Sequence, residues 1–199
     1  MPTNNDPIKQ KLRRYYQEKR QQLSAADQLT ASNRVCSRIL TLNDYHQATH
    51  IGLYHAVRGE IDLSFLRLKA TLENKIYYYP IMNPDRTLSF LPVTADTLFS
   101  KNSLGINEPL INMKLAVPPD TLDILFLPLV AFDDHGTRLG MGGGYYDRTL
   151  ATLKPKHLVG VAYDFQHEAF INRESWDVPL SVIITESHTY WSKPCQTIG

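Results

Sequence analysis

An apolar run from Leu122 to Phe132 leads within a few residues into Arg138-Leu-Gly-Met-Gly-Gly-Gly-Tyr-Tyr-Asp147-Arg148. The run predicts a buried strand, and Tyr145 to Leu153 predicts a helix. Between them four glycines in the five positions 140–144 allow positive φ and bring backbone N–H groups close to a ligand. Strand, glycine loop and helix start together describe an anion site, because free N–H groups and the helix dipole face the bound group.

Two familiar versions of that arrangement are excluded. A Walker A loop ends in Gly-Lys-Ser/Thr, whereas this loop ends in Gly144-Tyr145-Tyr146. A dinucleotide fingerprint needs a third glycine where Tyr145 stands. A tight turn without a ligand is the plain alternative. Arg138, Asp147 and Arg148 favour a nucleotide phosphate with its magnesium over that turn.

A net charge of +1 provides no bulk field for nucleic acid or membrane, so any binding charge must be local. With 199 residues, 43% of them hydrophobic, the chain can bury a sizeable core as one domain. Cys36 and Cys195 fit neither a disulfide framework nor a zinc site, and the histidines show no metal spacing. The polar N-terminus and the lack of a long apolar run predict a cytoplasmic protein with no membrane partner.

Along the chain, Pro7 opens a helix to about Gln22, and Ser24 with Asp27 imitates a capping box for a second. Leu29, Val35, Ile39 and Leu42 form that second helix's apolar stripe. His50 to Ala56 reads as a strand and Asp62 to Glu73 as a helix. Lys75 to Ile81 and Thr87 to Val93 read as a hairpin around Asn83-Pro84-Asp85. Residues 95–120 read as irregular. His157 to Tyr163 and Ser181 to Thr185 are the remaining strands, the latter taken as the last. The expectation is a three-layer α/β/α sandwich with a mainly parallel sheet. Residues 1–191 form a single domain in this reading, with a helical N-terminal segment at about 7–42, Trp191 closing the fold and 192–199 as a tail.

Several residues carry chemistry in this pattern. Lys9, Arg13 and Arg20 share one helix face, either as an anion seat or as a solvated basic face. Glu60 follows a strand, where ligands gather in α/β sheets. A carboxylate there can accept two hydrogen bonds from an amidine-like heterocycle such as a pterin; the equal alternative makes Glu60 or Asp62 a helix cap, Asp62 fitting the cap better. Of Tyr77, Tyr78 and Tyr79, alternate members face opposite sides. Asp177 reads as turn chemistry or, paired with Asp147, as a magnesium site. No nucleophile elbow is present, which favours chemistry by positioning and phosphate activation.

Taken in order, these residues resemble the 5-formyltetrahydrofolate cyclo-ligase (methenyltetrahydrofolate synthetase) family, from about Ile8 to Glu186. The anchors are Lys9-x-x-Leu12-Arg13, Gly59-Glu60-Ile61-Asp62 and Gly105-Ile-x-Glu108-Pro109. They continue with the long motif from Pro128 to Arg148, and end with Asp177 and Ile183-Ile-Thr185-Glu186. The resemblance implies a fold like that of sugar-phosphate isomerases and CoA transferases. It also implies conversion of 5-formyltetrahydrofolate, with or without a polyglutamate tail, and MgATP to 5,10-methenyltetrahydrofolate, ADP and phosphate by a monomer.

By the same resemblance, Lys9, Arg13 and the loop Arg138, Leu139, Gly140, Met141, Gly142, Gly143, Gly144, Tyr145 and Tyr146 bind ATP. His55, Glu60 and Tyr145 contact the folate, and Asp147 and Asp177 are associated with magnesium (Mg2+). Arg138 and Tyr145 are the expected catalytic residues. Two rivals remain: an ATP-independent sugar-phosphate isomerase or CoA-transferase-like enzyme on the same sheet, and a non-catalytic nucleotide- or folate-binding protein.

Overall fold

The structure, a computed structural model, describes residues 6–68 and 74–193. Its first helix, α1 (Pro7–Gln21), starts where Asp6 accepts the N–H of Ile8 at 2.8 Å and proline occupies the first turn. Helix α2 (Ala25–Ile39) is capped by Ser24, whose hydroxyl accepts the Asp27 N–H at 3.1 Å and donates to the Asp27 carboxylate at 2.7 Å. Val35 and Ile39 are fully buried, but Leu29 is 62% exposed, so it lies outside the stripe that the sequence assigned to it.

A seven-stranded sheet follows, in the order β11-β10-β9-β6-β1-β2-β3. Its members are β1 (His50–Gly52), β2 (Ile76–Met82), β3 (Leu88–Val93), β6 (Ile124–Pro128), β9 (His157–Val161), β10 (Val182–Ile184) and β11 (Thr189–Trp191). The strands from β10 to β2 run parallel, while β3 and β11 pair antiparallel at the two edges. Alternation sorts the side chains: Ile124, Phe126, Tyr77 and Tyr79 enter one core, and Leu125, Leu127 and Tyr78 the other. Helices α2, α3 (Asn43–Gln47) and α4 (Ser64–Leu68) cover the first face, with Val35, Ile39, Tyr45 and Leu66 buried there. The second face is covered by Phe132, Val178, Leu180 and α5 (Tyr145–Leu150) through Leu150. The fold is therefore the expected α/β sandwich around a mostly parallel sheet.

Four local expectations change. The run from Leu122 to Phe132 is not one strand: β6 ends at Pro128, and Ala131–Phe132 (β7) pairs antiparallel with Arg138–Leu139 (β8) in a separate small sheet. The break follows from Pro128, which lacks an N–H for further pairing. Residues 95–120 are not wholly irregular, since β4 (Phe99–Lys101) and β5 (Asn107–Pro109) form a hairpin. The strand at 181–185 is not the last, because β11 returns antiparallel to it. Of the helix read over Asp62 to Glu73, α4 spans Ser64–Leu68, and 69–73 lie outside the described residues, as do Cys195 and most of the tail.

Candidate active site

The glycine loop leaves a hairpin rather than a long strand. The β7–β8 turn is organised by Asp133, fully buried, whose carboxylate accepts the N–H groups of His135 and Thr137 at 3.0 Å and of Ile171 at 2.9 Å. Gly136 completes that turn at φ 72° and accepts the Leu180 N–H at 2.9 Å. Arg138 is thereby fixed. Its guanidinium donates to the Val178 carbonyl and to the Asp147 carboxylate, bridging the turn to α5.

Beyond Leu139 the loop is open. Among the described residues, no acceptor takes the N–H groups of Gly140 through Gly144. Gly142 and Gly144 hold positive φ of 99° and 66°, so the chain turns without side chains crowding the loop. Helix α5 has only six residues, so its dipole contributes less than the sequence suggested, and the bare amides and nearby cations dominate. Arg148 folds back to donate to the Gly143 carbonyl at 2.9 Å.

Helix α1 crosses this hairpin, with Tyr16 and Leu12 packed against Val130, Ala131, Leu139 and Ile171. That packing decides the question left open for its basic face. Lys9 is 5% exposed, with Nζ 3.1 Å from Glu174 and 4.0 Å from Asp177. Arg13 donates from Nε to the Gly140 carbonyl at 2.9 Å. Arg20 is buried beside Glu60, Nη1 to Oε1 3.5 Å. The solvated-face reading thus fails for these three residues, while Lys11 and Arg14 do point to solvent.

The charges sense one another. Burial pulls the Arg13 guanidinium below its ordinary value, opposed by Asp6 and Asp177. Burial pushes the Asp147 carboxyl up; Arg138 opposes it, Asp177 adds to it, and Arg148 and Lys9 oppose it. Lys9, Arg13, Arg138 and Arg148 therefore converge with Asp147 and Asp177 around the open loop. Asp177 also accepts the Glu174 N–H at 2.9 Å, as its turn position implied.

Glu60 lies near the C-terminal end of α1, beside Arg20, in the loop after β1. Asp62 takes the cap of α4, accepting the Ser64 N–H at 2.8 Å, and leaves Glu60 turned inward at 7% exposure. One Glu60 oxygen accepts the Val57 N–H at 3.1 Å. Burial raises its pKa, with Arg20, the Val57 N–H and Arg58 opposing. Tyr146 belongs to this neighbourhood: burial raises its phenol pKa, and the Glu60 charge raises it further. His55 packs against Tyr79 and Phe99 with ring centroids at 4.3 and 4.7 Å, and its buried Nε2 has no partner among the described residues. Burial lowers its pKa. Tyr145 is half-buried at the start of α5, packed against the second core.

Sequence reasoning missed Glu174 as partner of Lys9, Arg20 as partner of Glu60, Asp133 as organiser of the turn, and the wall of Tyr79 and Phe99 around His55. The Asp133-x-x-Gly136 spacing and the acidic pair Glu174/Asp177 were the available signals; partners drawn from distant segments left none.

A mostly parallel sheet that carries a cation-ringed glycine loop near an inward-facing carboxylate is an architecture that α/β enzymes share. The sequence profile of the 5-formyltetrahydrofolate cyclo-ligase family matches residues 5–186. The chain is 40% identical over 184 residues to the 5-formyltetrahydrofolate cyclo-ligase of Haemophilus influenzae, spanning 90% of this chain and 98% of that one. It is 32% identical to that of Escherichia coli, over 87% and 97% of the two chains. The solved structure of Aquifex aeolicus 5,10-methenyltetrahydrofolate synthetase superposes with a TM-score of 0.83 at 32% identity, covering 96% of each chain. The chain belongs to the 5-formyltetrahydrofolate cyclo-ligase family, and it is a ligase.

Proposed function

We propose that the protein converts 5-formyltetrahydrofolate to 5,10-methenyltetrahydrofolate at the expense of ATP, which leaves as ADP and phosphate. The observation that carries this reading is the set of unclaimed amides from Gly140 to Gly144 ringed by Lys9, Arg13, Arg138 and Arg148. Such a cradle suits the charge of a triphosphate. Glu60, buried beside Arg20 at the far end of α1, would accept two N–H groups of the pterin ring, and His55, packed against Tyr79, would be a further folate contact.

In this mechanism the formyl oxygen takes the γ-phosphoryl group as the bond to ADP breaks. N10 of the folate then attacks the formyl carbon, the C–O bond breaks, phosphate departs and N10 loses its proton. Arg138, Lys9 and Arg13 neutralise charge on the phosphoryl oxygens, which is the main demand of such a transfer. Tyr145 orients the formyl group, Leu139, Met141 and Tyr146 shape the nucleotide side, and holding N10 near the carbon makes the ring closure intramolecular.

Asp147 and Asp177 are the carboxylates that would hold magnesium. Each already faces a cation, Arg138 or Lys9, and no cluster of three or more metal-ligating side chains exists among the described residues. That donor set suits an ion that arrives on phosphates and takes one or two carboxylates, where it would screen phosphate charge. Residues 1–191 act as the catalytic unit, monomeric and cytoplasmic, on folate with or without a polyglutamate tail. No helix of the described residues is long and apolar enough to cross a membrane.

The test is methenyl absorbance in purified protein given 5-formyltetrahydrofolate with and without MgATP. Replacing Glu60 by Gln should raise the folate KM about 10- to 100-fold, the range expected for hydrogen bonds to a charged group, with the ATP KM little changed. Turnover without ATP, or equal effects on both constants, would overturn the reading.

A further inference from the structure

The buried Arg20 belongs to no part of the proposed chemistry. Its side chain is 1% exposed, and a guanidinium so buried normally satisfies its donors. Here Nη1 reaches the Leu129 carbonyl at 3.4 Å and Glu60 Oε1 at 3.5 Å, while Nε and Nη2 have no partner among the described residues. The surroundings are built to keep it there. Gln166 donates to the same Leu129 carbonyl at 3.0 Å, and Tyr163 donates to the Gly59 carbonyl at 3.0 Å. Gly59, at φ 76°, lets its loop lie against the Arg20 backbone: a Cβ there would sit 3.2 Å from the Arg20 carbonyl oxygen. One end of α1 thus faces the nucleotide loop through Lys9 and Arg13, and the other ends beneath Glu60.

We propose that Arg20 is a positioning residue for the Glu60 carboxylate, holding it charged and aimed at the pterin ring. The inference rests on the reading of Glu60 as the pterin contact. An ionised carboxylate presents two acceptors to the paired N–H groups of an aminopyrimidine edge, whereas a protonated one presents a mismatched donor. The charged and titratable groups that interact with Glu60 among the described residues bear on this. They are Arg20 from α1, Arg58 from its own loop, and the phenols of Tyr54, Tyr146 and Tyr163. The three phenols are raised by burial first, so they stay neutral through neutral pH. Charge support for Glu60 therefore comes from the two arginines, of which Arg58 is exposed in a turn at φ 51° and Arg20 is enclosed in the core.

The experiment compares the pH dependence of the folate KM in wild type, Arg20→Gln and Arg20→Lys, with folding checked by circular dichroism. Loss of an opposite charge at this range raises a carboxyl pKa by about 1–3. In Arg20→Gln the folate KM should therefore begin its climb at higher pH, becoming about tenfold or more worse relative to wild type near pH 6 than near pH 8.5. The ATP KM should show no such divergence. Arg20→Lys retains the charge and should keep the wild-type profile, with a uniform rise in KM. A wild-type pH profile in Arg20→Gln overturns the proposal, as does an equal shift in Arg20→Lys. If Arg20→Gln does not fold, the Arg20→Lys profile alone decides. Failure of the Glu60 reading is separately visible, since Glu60→Gln would then leave the folate KM unchanged.

Discussion

Adding one methyl group at Gly136 separates conformational strain from crowding. Gly136 holds φ 72°, and a Cβ there would overlap the Leu180 carbonyl oxygen and the Ser192 hydroxyl. The carbonyl belongs to backbone and cannot step aside. Left-handed strain for alanine costs about 1–2 kcal/mol. Forced overlap adds about 1–3 kcal/mol, and loosening the 2.9 Å bond from the Leu180 N–H to the Gly136 carbonyl adds about 1 kcal/mol. At about 2–4 °C per kcal/mol for a chain of this size, Gly136→Ala should lower Tm by about 10 °C or more. Gly105 is the control, with φ 76° but open space around a built Cβ. Gly105→Ala should carry the strain alone, a drop of about 5 °C. Because Arg138 follows two residues after Gly136, the ATP KM should rise in the first variant and stay constant in the second. Thermal scans by circular dichroism, with kinetics on both variants, check this. Equal drops in Tm would refute the reasoning from crowding.

Other consequences are open to measurement. Arg13→Met removes the bond to Gly140 and one cation, and should raise the ATP KM about tenfold while sparing the folate KM; steady-state kinetics decide. Asp164 accepts from Thr185, Tyr190 and His188; burial pushes its carboxyl up, but those donors outweigh it and leave the pKa lowered. Its stabilisation is therefore complete above the unfolded value of about 3.9 and disappears as pH falls through the lower folded value. Asp164→Asn should cost about 1.5–3 kcal/mol near pH 7 by urea unfolding, with the gap to wild type closing below about pH 4. Cys36 is fully buried, and burial pushes its thiol up to about 12, so in a Cys195→Ser background it should react with a maleimide only when the protein unfolds.

The sequence carries the sheet well because buried parallel strands declare themselves as apolar runs, as Ile124 to Leu127 does. It carried the glycine loop because such a density of glycine has few uses, and the split roles of Asp62 and Glu60 because cap chemistry is local. It could not show that Pro128 ends β6 and hands the chain to a two-stranded hairpin, since Leu129 to Phe132 is as apolar as the strand before it. It also left the basic face of α1 undecided. Whether a cation is solvated or buried depends on what packs over it, and the partners of Lys9 and Arg20 come from residues 174 and 60. The β4–β5 hairpin that brings Phe99 against His55 was hidden by its three-residue strands.

The central claim is that the peptide N–H groups of the loop, with the cations around it, hold the triphosphate. Amide 15N–1H spectra recorded during titration with MgATP test it most directly. The account predicts saturable shifts and slowed exchange for Gly140 and Gly142 to Gly144, weakened together in Arg13→Met. Nucleotide binding that leaves those resonances unmoved would contradict it.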